Sequence, residues 1–249
     1  MKNSAAIWGA VVGVLLAQGA AAAEIAVLSG GAIEPGLKAA ASAFQKQTGD
    51  TVKITFNTTP QIRKRIDGGE KFDVVIAPPA AMDAFAKAGK IGEERVGVGR
   101  VGMGVVVRPG APVPDISSAE ALRRSVLGAE TLVFNRASSG LYIEDLFKKM
   151  GIYEQIESKT TRYPDAGSVM EHVLKGKGKE IGFGPITEIL MYKEKGLRLV
   201  GPFPAEVQNY TSYVAAVATG SPNGEPARSL VRYLGSPSGK GLFSAAGIE

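Results

Sequence analysis

The chain has 249 residues, with 29 Lys and Arg against 24 Asp and Glu, for a formal charge of +5. It contains no Cys, which excludes disulfides, thiolate metal sites and Cys nucleophiles. The only His is His172, so sites with several histidines are excluded and any His-dependent triad has one candidate. The small charge excess gives no support to nucleic-acid binding. The length is sufficient for one large domain or for two lobes.

The first 23 residues have the pattern of a secretory signal peptide. Lys2 precedes an apolar run over residues 5–17, and small residues lead to a predicted cleavage after Ala23. The run is shorter than the roughly 20 residues of a membrane span, although an uncleaved anchor is the alternative. The mature chain, residues 24–249, is therefore expected in the periplasm.

Short apolar runs alternate with segments of helical spacing along the rest of the chain. In the first half, strands are predicted at residues 24–28, 52–56, 73–77 and 101–107, and helices at 33–44, 58–66 and 80–88. In the second half, strands are predicted at residues 131–134, 181–183, 198–200 and 210–218, and helices at 118–126, 138–150, 168–174, 187–195, 227–234 and 238–245. This alternation predicts an α/β fold with parallel sheets.

Three predicted strands end in turns of small or hydroxyl residues that open helices, at residues 29–32, 57–60 and 137–140. The first N–H groups of a helix have no internal partner, and the helix dipole places partial positive charge there. Such turns bind anions, although each one taken alone is more readily explained by helix capping. Three of them at strand ends favour a binding site. The candidate ligand-binding residues in the turns are Ser29, Gly30, Gly31, Ala32, Thr58, Thr59, Ser138, Ser139 and Gly140.

Two further side chains are candidates for chemistry. Arg136 directly precedes the third turn, where it is placed either to pair with a carboxylate or oxyanion or to form an external salt bridge. His172 lies in a predicted helix without an evident set of catalytic partners. No nucleophile elbow, phosphate loop, zinc-protease motif or dinucleotide fingerprint is present. The sequence therefore predicts no catalytic residue, no metal site and no cofactor.

Six segments together resemble the periplasmic solute-binding proteins of ABC transporters, and among these the molybdate-binding proteins. They read AVLSGGAIEPGLKAAASAFQKQTGDTVKITFNTTPQIRKRI, FDVVIAPPAAMDAF, VGMGVVVRPG, ASSGLYIEDLFKKMGI, RYLGSPSGKGLFSAAGI and, before them, the signal peptide. The resemblance implies a two-lobed fold of type II, with crossover strands at residues 101–107 and 210–218. It implies lobe one at residues 24–105 plus 215–249 and lobe two at 106–214. It also implies a monomer that binds a small anion and delivers it to an inner-membrane permease.

The resemblance carries over to the ligand site only in part. The Ser that donates from the family's first turn corresponds to Ala32, whereas the Ser of the second turn corresponds to Thr59, which keeps a hydroxyl. Ser139 corresponds to a residue that offers its backbone N–H. Pro185 replaces a Tyr, so a phenol donor is lost. The ligand is therefore expected to be either a molybdate-like oxyanion or a small organic acid.

Two other functions stay open alongside solute capture. A secreted α/β hydrolase or transferase would need His172 as its imidazole, because the chain has no other. A two-lobed sensor domain would bind its ligand in the same way and present the bound state to a signalling partner.

Overall fold

The structure, a computed structural model, describes residues 22–249, so the predicted signal peptide lies outside the described residues except for its last two. Nine strands and ten α-helices alternate along the described part of the chain. The strands are β1 Glu24–Gly30, β2 Thr51–Asn57, β3 Val74–Ala77, β4 Val96–Val107, β5 Thr131–Asn135, β6 Thr160–Tyr163, β7 Glu180–Pro185, β8 Arg198–Pro202 and β9 Tyr210–Val217. The helices are α1 Glu34–Thr48, α2 Thr59–Asp67, α3 Pro79–Lys87, α4 Ala119–Gly128, α5 Ser138–Lys149, α6 Tyr153–Ile156, α7 Ala166–Lys175, α8 Ile186–Leu190, α9 Gly224–Gly235 and α10 Pro237–Ala245.

The strands form a mixed sheet in the order β2-β1-β3-β9-β4-β7-β5-β6, with β8 paired to β4. Parallel pairs join β1 to β2 and β3, and β5 to β6 and β7, as strand–helix–strand units require. The prediction of parallel sheets is wrong for β4 and β9. These two strands pair antiparallel with each other, β9 also with β3, and β4 also with β7 and β8, because they carry the chain between the two halves of the sheet.

Apolar side chains pack on both faces of each half of the sheet and define two lobes. In lobe one, the core residues lie between Ile25 and Val101 and between Tyr213 and Ile248. In lobe two, they lie between Met103 and Phe203. The α/β, two-lobed fold of type II predicted from the sequence is confirmed, whereas the lobe boundaries given above stay a prediction.

Strand β4 begins five residues before its predicted start at Val101. Its first half alternates glycines with apolar residues, which hides the strand from a hydropathy pattern. At Gly99 the missing side chain leaves room for the C-terminal residues, since a Cβ there would lie 2.6 Å from Ile248 Cγ2. Arg100 N–H donates to Glu249 O at 2.7 Å, and Glu249 N–H donates to Arg100 O at 3.0 Å. The C-terminus is therefore fixed against the strand that links the lobes.

Beside this linking strand, the chain returns from lobe two to lobe one through Gln208. The Gln208 Oε1 accepts from Met103 N–H at 2.8 Å, and its Nε2 donates to Met103 O at 3.0 Å. The side-chain amide thus acts as a strand partner where the two connections run side by side.

Among the described residues, no helix has both the length and the apolar character to cross a bilayer.

A ligand cleft between the lobes

One cavity of about 350 Å³ lies between the lobes, where two pairs of parallel strands end. In lobe one, β1 and β2 end side by side with Gly30 opposite Asn57, and in lobe two β5 and β6 end with Asn135 opposite Tyr163. Each of the four strands continues into a turn that opens a helix, and residues from all four helix starts line the cavity. The carboxyl ends of parallel strands are the usual position of a ligand site in α/β proteins.

At the start of α5, the side chain of Asn135 organises the turn. Its Oδ1 accepts from the N–H groups of Ala137 at 2.9 Å and Gly140 at 3.0 Å, and its Nδ2 donates to Ser139 Oγ at 2.9 Å. The N–H groups of Ser138 and Ser139 have no acceptor within the part of the chain that the structure describes, and both residues line the cavity. A Cβ on Gly140 would lie 1.7 Å from Asn135 O, so only glycine permits this turn.

The start of α7 repeats this arrangement. Asp165 Oδ1 accepts from Ser168 N–H at 2.7 Å, whereas the N–H groups of Ala166 and Gly167 have no acceptor among residues 22–249. The predicted helix began at Ser168, so the contribution of the capping residue Asp165 was not predicted from the sequence. Asp165 is itself a standard N-cap residue type and was the available signal.

In lobe one, the start of α2 is held by Gln61, whose Oε1 accepts from Thr58 N–H at 2.9 Å. Thr58 and Thr59 both line the cavity. Next to them, the Oδ1 of Asn57 is buried and has no hydrogen-bond partner among the described residues. A buried amide without a partner is costly in free energy, which favours a partner supplied by a ligand or by water.

The glycines of the first turn have a different role from the one expected of them. A Cβ on Gly30 would lie 2.5 Å from Tyr213 Cε1, and a Cβ on Gly31 would lie 2.9 Å from Glu188 Oε1. The two glycines therefore admit a tyrosine from β9 and a glutamate from α8, rather than leaving open backbone. Ala32, the next residue, accepts at its carbonyl from the Thr187 hydroxyl at 2.5 Å, which joins the two lobes.

The structure brings most of the predicted ligand-binding residues together. Those that line the cavity are Gly30, Gly31, Ala32, Thr58, Thr59, Ser138, Ser139 and Pro185. Ser29 is fully buried and bonds through its hydroxyl to Gly30 O at 3.2 Å, and Gly140 lies behind the turn against Asn135.

The two other candidate side chains do not line the cavity. Arg136 is exposed, and its backbone N–H donates to Tyr163 O at 2.7 Å, whereas its side chain has no hydrogen-bond or salt-bridge partner in the described part of the chain. His172 Nδ1 lies 2.8 Å from the Tyr163 hydroxyl, in a separate groove of lobe two that also borders Asp165. Among residues 22–249, therefore, no imidazole and no guanidinium lines the interlobe cavity.

Several cavity residues escaped the sequence analysis because they come from elements that carry no anion-binding pattern. Pro185 removes the phenol expected there, but Tyr213 from β9 and Tyr192 beyond α8 bring two phenols to the cavity. Apolar side chains also form part of the wall, and apart from Pro185 none of them was a predicted ligand-binding residue. The apolar wall consists of Phe56, Val101, Met103, Pro185 and Met191.

The charged side chains of the cavity wall are all acidic. They are Glu34, Asp165 and Glu188, and among the described residues no Lys, Arg or His joins them. Glu34 is paired with Lys38 Nζ at 2.5 Å, and Asp165 caps α7. Within residues 22–249 no group of three potential metal ligands is gathered closely enough to hold a metal ion.

Glu188 differs from the other two carboxylates. It has no hydrogen-bond or salt-bridge partner in the described part of the chain, and its exposed surface faces the cavity. Burial, followed by the negative charges of Asp165 and Glu34, raises the pKa of Glu188 to about 8. Burial and the nearby Glu188 also raise the pKa of Tyr213. Glu188 is therefore expected to hold a proton at neutral pH.

Two α/β lobes that enclose a cavity between helix N-termini define a ligand-binding protein of the periplasmic-binding type. The chain belongs to the family of bacterial extracellular solute-binding proteins, which it matches over residues 25–249. It is 30% identical to an aconitate isomerase from Pseudomonas sp. over 232 residues, 90% of this chain and 87% of that protein.

Solved structures share the fold at low sequence identity. The periplasmic molybdate-binding protein of Azotobacter vinelandii aligns with a TM-score of 0.74 and 15% identity over 90% of this chain and 98% of that one. PEB3 with bound L-phospholactate aligns with a TM-score of 0.70 and 13% identity, also over 90% and 98%. These likenesses establish the fold, and they leave the ligand to be argued from the cavity.

Proposed function

We propose that this protein captures a small organic acid, as its carboxylate anion, in the interlobe cavity and delivers it to an inner-membrane ABC permease. The observation that carries the proposal is the convergence of four helix starts on one cavity, with unpaired N–H groups at α5 and α7. Such groups bind anions through hydrogen bonds and the helix dipole without a charged counter-residue. Closure of the lobes about the segment at Met103 and Gln208 would bury the ligand, with no covalent step.

The cavity favours an organic acid over a compact oxyanion for two reasons. The first reason is size: the cavity volume of about 350 Å³ equals that of roughly twelve waters, each occupying about 30 Å³ in the liquid, which suits a ligand with several carbon atoms better than a compact oxyanion. Its apolar wall gives nothing to a tetrahedral oxyanion, whereas a carbon skeleton gains from contact with Phe56, Met103 and Met191. The 30% identical relative is named for aconitate, an organic acid, which supports the same ligand class.

Calorimetry at pH 7 with cis-aconitate, trans-aconitate, citrate, succinate, molybdate and sulfate tests the proposal. At least one carboxylate is expected to bind more tightly than either inorganic anion. Ser138→Pro is the sharpest variant, because Pro is tolerated at the first helical position and Ala137 already has the extended backbone that precedes proline. It removes one N–H from the cavity, and roughly tenfold or more weaker binding is expected for a bond to a charged acceptor.

Ser138→Ala is the matched control, since it removes the hydroxyl and keeps the N–H; its affinity is expected to stay within about threefold of wild type. Binding of molybdate alone, or equal affinities of the Pro and Ala variants, would contradict the proposal. The periplasmic location and the monomeric state belong to the proposal as well. Intact mass of the exported protein and light scattering test them, and transport by a reconstituted permease separates delivery from a sensing role.

A second candidate is isomerisation of a small unsaturated acid, and the identity to an aconitate isomerase favours it. A proton leaves the saturated carbon beside the double bond, the double bond shifts by one position, and a proton returns to its far end, so no co-reactant is consumed. Glu188 is the cavity carboxyl suited to carry that proton, because a pKa of about 8 lies near the working pH. A hydrolase or transferase has no comparable support, since His172 lies outside the cavity.

Proton NMR of cis-aconitate with the protein in D2O tests isomerisation. Conversion to the trans isomer with deuterium incorporation, lost in Glu188→Gln and retained in Glu34→Gln, would establish an enzyme. Unchanged spectra over a day at stoichiometric protein, together with measurable binding, would leave solute capture alone.

A further inference from the structure

Glu188 lies at the cavity where elements from both lobes come together. It is carried by α8 in lobe two, its Oε1 approaches the Gly31 backbone in lobe one, and it lies beside Tyr213 of the linking strand β9. An ionised carboxylate here would oppose an anionic ligand, because both negative charges would face the same cavity. A protonated carboxyl would instead add a hydrogen-bond donor to those of the helix starts.

We propose that Glu188 is the specificity-determining residue of the cavity: it keeps its proton and donates it in a hydrogen bond to a carboxylate of the ligand. This inference rests on the proposed function, that is, on an organic acid as the ligand. It makes capture depend on a proton that the protein carries, so the anion binds to one protonation state of the site only.

The groups that face Glu188 support this assignment. Asp165 at the start of α7 and Glu34 at the start of α1 both disfavour a third negative charge. Tyr213 on β9 and Tyr192 after α8 are neutral phenols whose pKa values are raised, Tyr213 by burial and by Glu188 and Tyr192 chiefly by burial. Strands β4, β7 and β8, which pack against α8, bring no charged side chain to the described cavity wall.

The consequence is a pH dependence with a definite sign. The pKa of Glu188 in the ligand-free protein is about 8, and a ligand that requires the protonated form must restore the proton above that pH. Affinity is therefore expected to be constant below about pH 7 and to fall about 30-fold between pH 7 and pH 9.5. The carboxyls of trans-aconitate are ionised throughout this window, so this ligand contributes no pH dependence of its own, and citrate contributes only a small part near pH 7.

Calorimetry with trans-aconitate and citrate at pH 7, 8.3 and 9.5 tests the inference. Glu188→Gln is expected to bind within about tenfold of wild type at pH 7, because its amide still donates, and to lose the pH dependence. Glu34→Gln is the comparison variant: it removes another carboxylate of the same wall, one already paired with Lys38, and it should keep the fall, shifted to somewhat lower pH because Glu34 is one of the charges that raise the pKa of Glu188. Repeating the wild-type titration at pH 9 in buffers of different ionisation enthalpy should show uptake of nearly one proton per ligand.

A constant wild-type affinity from pH 7 to 9.5, or an equal fall in Glu188→Gln, would overturn the inference while leaving the proposed function standing. If none of the carboxylates binds at pH 7, the proposed function fails. The protonation state of Glu188 is then tested in the ligand-free protein. Carbon-13 NMR of the glutamate carboxyls, assigned with Glu188→Gln, should then show this group titrating near pH 8. Titration near its ordinary value of 4.5 would overturn the protonated state itself.

Discussion

Replacing Glu188 by Gln is expected to leave the stability of the ligand-free protein near that of wild type at low pH and to raise it above wild type at high pH. The folded-state pKa is raised from 4.5 to about 8, so the folded protein binds this proton more tightly than the unfolded chain does. The stabilising contribution is then fully present below pH 4.5 and is lost as pH rises towards 8. Gln is close in size, donates a hydrogen bond and does not titrate, so it reports the difference directly.

The magnitude follows from the two pKa values. One pKa unit corresponds to about 1.36 kcal/mol, and about three units lie between pH 5 and the folded-state value. Between pH 5 and pH 9, the unfolding free energy of Glu188→Gln should therefore rise by about 4 kcal/mol relative to that of wild type. For a chain of this size that gain corresponds to roughly 8–16 °C in the difference of Tm.

Urea denaturation followed by circular dichroism at pH 5, 7 and 9 measures this effect. Circular dichroism is preferred to fluorescence because the single Trp, Trp8, falls in the predicted signal peptide. Glu194→Gln, an exposed glutamate six residues further along, is the control and should show no pH-dependent gain. Parallel pH profiles for wild type and Glu188→Gln would refute the argument that burial and the neighbouring carboxylates keep this group protonated.

Two further predictions concern residues on either side of the cavity wall. Gly140→Ala should lower the unfolding free energy by about 2–3 kcal/mol, since its Cβ would meet the Asn135 backbone oxygen, and thermal denaturation measures the loss. A stability equal to wild type would mean that the α5 turn has more room than its geometry indicates. Arg136→Ala and His172→Ala should each leave the affinity for trans-aconitate within about threefold of wild type by calorimetry, because neither side chain lines the cavity; a large loss in either would place the ligand elsewhere.

The order of strands and helices was predictable from local pattern alone, because burial imposes different spacings on the two kinds of element. The short helix α6 and the strand β6 were missed, since four residues carry too little periodicity to stand out. The start of strand β4 was predicted too late, because glycines alternate with other residues in its first half. The missing side chain at Gly99 makes room there for the C-terminal residues. The antiparallel pairing of β4 was also beyond local pattern, which contains no information on strand direction.

The candidate site was predictable where the chemistry belongs to one turn. Some predicted site residues lie in segments whose composition is typical of a helix start, and these line the cavity: Thr58, Thr59, Ser138 and Ser139. Arg136 stands beside such a turn but is exposed, since neighbours in sequence at a helix start point in different directions.

The sequence by itself determined the α/β alternation, the helix starts and the absence of thiol and multi-histidine chemistry, because these depend on residue type and local spacing. Only the tertiary structure decided that Glu188 and Tyr213 meet over Gly30 and Gly31. Those side chains come from α8 and β9, more than 150 residues away from the turn, and nothing in their own segments marks them as polar site residues. Burial and the charges of distant neighbours then set the protonation of Glu188, and both are properties of the folded arrangement rather than of the residue.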